Sequence, residues 1–169
     1  MNRSVIGYTL LFIVLVLLQV LAFNRIALFG YATPFLFLYF ILKLPTTLSP
    51  NWTMTLSFLI GLIIDIFSNT PGVYALASVS VAFVRRTFIA LVLQRGNEEV
   101  SLIPSFRAFG SENFSVYAFC MVFLFCILVF LIETFSFFSP LVLILRILSS
   151  TLLTLALILA LESLNLKKK

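Results

Sequence analysis

A compact all-α bundle of six transmembrane helices, forming one domain over residues 1–169, is what this sequence predicts. Three observations carry that expectation. Hydrophobic residues make up 62% of the chain and charged residues 10%. That is more apolar surface than a 19 kDa soluble core can hold, so lipid must serve as the solvent. Apolar runs near the ~20 residues that cross a bilayer recur with short breaks between them. Lysine and arginine gather in alternate breaks.

The first span covers about 4–23. It is longer than a signal-peptide core, and no small-x-small site follows it at Ala22-Phe23-Asn24-Arg25, so it reads as an uncleaved helix. The second, about 29–44, is short and carries Pro34. A Thr- and Pro-rich turn from Pro45 to Pro50 precedes the third, about 52–67. Ser68-Asn69-Thr70-Pro71-Gly72 signals a turn into the fourth, about 73–93, which Arg85 and Arg86 interrupt. The polar stretch 94–113 is expected as a loop. The fifth span, about 114–135, and the sixth, about 141–161, are joined by a tight hairpin, Ser136 to Pro140, and should pack antiparallel.

With the N-terminus inside, internal segments hold Arg3, Lys43, Arg95, Arg107 and Lys167–Lys169, whereas external loops hold Arg25 alone. That asymmetry places both termini and the 94–113 loop in the cytoplasm. The basic tail therefore reads as a topology anchor and not as a nucleic-acid patch. Cys120 and Cys126 lie within one apolar run and read as buried thiols.

Catalysis needs placed acids, bases, nucleophiles or metal ligands. This chain has no histidine and a single aspartate, Asp65, so neither an enzyme nor a metal or other cofactor is implied. Charges within spans are costly, about 2.5–3.5 kcal/mol at a helix centre on insertion scales, and they mark the candidate sites. Glu133 and Arg146 flank the last hairpin at nearly equal offsets from Pro140, which predicts an intramembrane ion pair between antiparallel helices. That pair would either fix helix register or line a polar docking site. Arg85 and Arg86 could snorkel to the cytoplasmic headgroups and end the span, or take part in an interface. Gly61 and Asp65 share a helix face, with the glycine allowing close helix approach. Asp65 could accept hydrogen bonds from the following turn, pair with Arg146, or face a partner chain.

The segment Gly61-Leu62-Ile63-Ile64-Asp65, followed by Pro71-Gly72-Val73-Tyr74-Ala75, resembles the G-x-x-x-D…G-x-x-A signature of the MreD family of bacterial rod shape-determining membrane proteins. Length, Pro34 and the basic C-terminus extend the resemblance over the chain. The 20 phenylalanines and the long 94–113 loop depart from the family's usual pattern. The resemblance implies a bundle similar to the S components of energy-coupling-factor transporters, in the bacterial cytoplasmic membrane. It implies a non-enzymatic scaffold of cell elongation that binds MreC and connects MreB to RodA and its penicillin-binding partner. The motif maps onto Gly61, Asp65, Gly72 and Ala75. Under this reading Asp65 and the Glu133–Arg146 pair face a partner's membrane anchor, and Glu98-Glu99 face cytoplasmic partners. Self-association is left open. The alternative is a small-molecule-binding S component, with an outer pocket lined by Asp65, Asn69, Tyr74, Glu133 and Arg146.

Overall fold

The computed structural model describes residues 3–21, 32–96, 103–133 and 140–167. The expected 136–139 hairpin, Arg25, Glu98, Glu99, Lys168 and Lys169 lie outside these residues. Among the described residues six helices follow in order: α1 (Arg3–Leu21), α2 (Leu38–Lys43), α3 (Pro50–Ser68), α4 (Val73–Gly96), α5 (Phe106–Glu133) and α6 (Pro140–Lys167). Four of them, α3 to α6, are long and apolar enough to cross a membrane, and the apolar part of α1 is shorter, Ile6–Leu21. The protein is a membrane-embedded helical bundle.

Local chemistry sets the helix ends. Ser49 caps α3 by accepting from the Trp52 N–H, and Pro50 occupies the first turn, where its missing donor costs nothing. Asn69 ends α3 in the left-handed region at φ 56°, and Gly72 at φ 79° turns the chain into α4. These are the residues of the expected turn. The polar stretch 94–113 differs from expectation, because α4 runs through Gly96 and α5 begins at Phe106. Gly110, at φ 74°, breaks the α5 ladder and separates a short arm from the main helix.

Antiparallel pairs α3–α4 and α5–α6 meet along α4 and α5, and α1 lies against α3. Small residues three or four positions apart lie along the α3–α4 contact. Ser57 and Gly61 on α3 and Ala75, Ser78 and Ala82 on α4 are all buried, and Gly61 lies directly against Ala75. Outward-facing Ile66, Phe83, Leu141 and Leu152 are each at least 64% exposed, which suits contact with lipid.

The second expected span is the main departure. Among its described residues only Leu38–Lys43 is helical, and residues 32–37 are irregular, yet Phe35 to Leu42 are each at most 4% exposed. Irregular backbone at membrane depth is stable only when protein groups satisfy its hydrogen bonds. Here two helices, α1 and α6, supply them. The Gln19 side chain donates to Pro34 O at 2.9 Å and accepts from Leu36 N at 2.8 Å. Ser150 and Thr154 on α6 each accept a backbone N–H at 3.0 Å, from Thr33 and Phe35 respectively. Around this thread Phe35 and Phe37 pack edge-on against Phe125, with Tyr74 beside them. The thread is the core of the bundle.

Candidate functional site

Polar side chains inside an apolar bundle are where its constraints and its chemistry concentrate. Gly61, Asp65 and Ala75 meet near the α3–α4 tip, and Gly72 lies in the turn between the helices. Asp65 is 3% exposed. Its Oδ1 accepts from Thr70 Oγ1 at 2.6 Å and from Tyr74 N at 3.0 Å, and its Oδ2 accepts from Ala75 N at 2.8 Å. One carboxylate thus caps the positive N-terminal end of α4. A Cβ at Gly61 would lie 2.6 Å from Ala75 Cα and 2.7 Å from Tyr74 O, so only glycine permits this approach. Of the roles open to Asp65 in the sequence, the structure displays bonding to the turn and the next helix. Both oxygens are occupied and buried, so the carboxylate does not face outward to a partner.

Arg85, 4% exposed, behaves differently from its neighbour. Its Nε donates to Tyr117 OH at 3.0 Å, and its Nη2 donates to the carbonyls of Leu42 and Leu44. The guanidinium closes the C-terminal end of α2, where backbone carbonyls lack helical partners. Arg85 therefore does not snorkel. Arg86 is exposed. Beside both lies a cavity of about 700 Å3 between the start of α3 and the later turns of α4.

A third cluster joins α2, α5 and α6. Glu162, 2% exposed, receives Lys43 Nζ at 2.8 Å and Tyr39 OH at 2.7 Å, and it accepts from Phe106 N at 3.2 Å. Asn165 donates to Tyr39 OH at 2.8 Å, and Lys43 Nζ lies 5.7 Å from the Tyr39 ring centre. Sequence reasoning missed this site because Glu162 falls just past the last apolar run. The available signal was periodic. Ser150, Thr154, Ile158 and Glu162 recur every fourth residue, so they form one buried stripe on an otherwise apolar helix.

The expected Glu133–Arg146 pair is not made among the described residues. Glu133 is exposed, and the buried Nε of Arg146 has no hydrogen-bond partner. Matching distances from Pro140 set equal depth but leave helix rotation undetermined, and rotation decides which side chains meet. Cys126 is buried and Cys120 half-buried, and both are free thiols. Among the described residues no three His, Cys, Asp or Glu gather into a metal-binding group.

The chain matches no protein-family model, no curated protein and no solved structure.

Proposed function

We propose that this chain is a non-enzymatic membrane scaffold of the bacterial cell-elongation machinery, of the MreD type. In this reading it crosses the cytoplasmic membrane six times, with the buried thread 32–44 as the second crossing. The end bearing Lys43 and Glu162 faces the cytoplasm, and the end bearing Asp65 faces outward. It binds MreC laterally and so links MreB to RodA and its penicillin-binding partner.

The observation that carries the reading is the convergence of Gly61 and Asp65 on Ala75, with Gly72 in the turn that joins the two helices. A motif spread over 15 positions acquires one joint purpose there, a rigid helix pair with apolar outer faces, as lateral association requires. Ile66 and Phe67, 70% and 63% exposed, extend from that tip as contact surface for a partner's membrane anchor. The S-component alternative calls for a polar pocket beside Asp65, but protein donors already fill that carboxylate.

The test is co-purification from detergent-solubilised native membranes, with mass spectrometry of everything retained. Stoichiometric recovery of a single-anchor extracytoplasmic protein and cell-wall synthases supports the scaffold. Recovery of ATP-binding-cassette ATPases with a coupling subunit, or of a bound vitamin, overturns it.

A further inference from the structure

The cavity beside Arg86 combines features that the scaffold reading does not use. Its walls include two guanidinium-bearing residues and no carboxylate. Arg85 is committed to Tyr117 and the α2 carbonyls, whereas Arg86 is exposed on a membrane-spanning stretch, Val73–Leu91, with no acceptor among the described residues. Hydroxyl-bearing Thr46, Thr53 and Thr87 share the lining with Arg86, and Pro50 brings the first turn of α3 to the same wall. The positive end of a helix dipole therefore adds to the cationic field. Phe83, 69% exposed, makes the wall apolar where it meets lipid, and buried Ile89 adds an apolar inner wall.

We infer that this cavity holds the headgroup of an anionic phospholipid from the leaflet at the Lys43 end. Depth agrees. Arg86 stands about 20 Å along α4 from Val73, roughly two thirds of the way across a ~30 Å hydrocarbon layer. A side chain as long as that of arginine can span the remaining distance to the phosphate level at that end. The volume falls within the roughly 300–1,000 Å3 usual for ligand pockets. Basic pockets between spanning helices are the setting in which anionic headgroups bind. A zwitterionic headgroup would bring its own cation against Arg86 and lose most of the gain. This inference does not depend on the scaffold reading, and its test reads lipid rather than partners.

The experiment is native mass spectrometry of the purified full chain, titrated with dioleoylphosphatidylglycerol or dioleoylphosphatidylcholine. The expected result is one tightly held phosphatidylglycerol, bound about tenfold more tightly than phosphatidylcholine, whose own ammonium offsets about one charge-assisted contact. Arg86→Gln removes that preference and Arg86→Lys keeps most of it. Thr87→Trp, an exposed change that fills the cavity mouth while leaving Arg86 in place, lowers occupancy of the bound lipid. A variant with Lys167→Gln, Lys168→Gln and Lys169→Gln retains the bound lipid, because the preference is assigned to Arg86. Equal binding of both lipids, loss in the tail variant but not in Arg86→Gln, or displacement by millimolar inorganic phosphate would each overturn the inference.

Discussion

Replacing Gly61 with alanine tests the central contact of the structure. The added Cβ would stand 2.6 Å from Ala75 Cα and 2.8 Å from Ala75 N, both backbone atoms that no rotamer change can move. Ordinary contact begins at 3.4 Å, so α3 and α4 must part by about 0.8 Å there. The Asp65 bonds to Tyr74 N and Ala75 N, now 3.0 and 2.8 Å, would lengthen to about 3.8 and 3.6 Å, beyond useful hydrogen-bond range. Each charge-assisted bond contributes about 1.5–3 kcal/mol. Against this, alanine gains about 1 kcal/mol of helix propensity. The net expectation is a loss of about 2–5 kcal/mol. Equilibrium unfolding in bicelles, followed by circular dichroism, measures it. A double-mutant cycle with Asp65→Asn adds a second criterion. Because both changes weaken one contact, their combined cost should fall well short of the sum. A Gly61→Ala protein within about 0.5 kcal/mol of wild type would refute the close-approach argument, and additive costs would separate Gly61 from Asp65.

Further expectations use the same unfolding assay. Thr154→Val keeps the shape but strands the buried Phe35 N–H, so it should cost about 1–3 kcal/mol, whereas Thr154→Ser should restore most of the stability. Arg85→Met should be destabilising by at least about 2 kcal/mol through uncapped Leu42 and Leu44 carbonyls, while Arg86→Gln should stay within about 0.5 kcal/mol of wild type. Glu162→Ala leaves the Lys43 ammonium, whose side chain is 13% exposed, without its partner, at a cost of about 3–5 kcal/mol. Adding Lys43→Met should recover part of that loss. Glu133→Gln should leave the unfolding midpoint unchanged, and a drop comparable to that of Glu162→Ala would restore the ion pair with Arg146.

Much of the fold is legible in the chain because lipid imposes a simple rule. Long apolar runs become helices, and the turn at 68–72 carries its own conformational chemistry in Asn69 and Gly72. The second run illustrates the limit. Hydropathy reads Phe29 to Leu44 as a helix, since an apolar side chain looks the same on helical or irregular backbone. What permits the irregular form is a set of hydroxyl and amide groups on Gln19, Ser150 and Thr154, two of them more than a hundred positions away.

The candidate sites divide in the same way. Gly61, Asp65, Gly72 and Ala75 were visible because their roles are local, within one helical hairpin. Glu162 was passed over because a charge at the end of an apolar run looks like an interfacial residue until Lys43, Tyr39 and Phe106 surround it.

By itself, then, the sequence determined that this chain lives in a membrane, that a turn at 68–72 joins α3 to α4, and that one glycine and one carboxylate matter at the α3–α4 tip. Those properties follow from hydrophobicity and local backbone preference. Only the tertiary structure decided which buried charges find partners, that Arg85 turns inward while Arg86 stays outside, and that an irregular thread forms the core. Partner choice depends on how each helix is rotated about its axis, and that rotation is set by packing among all the elements together.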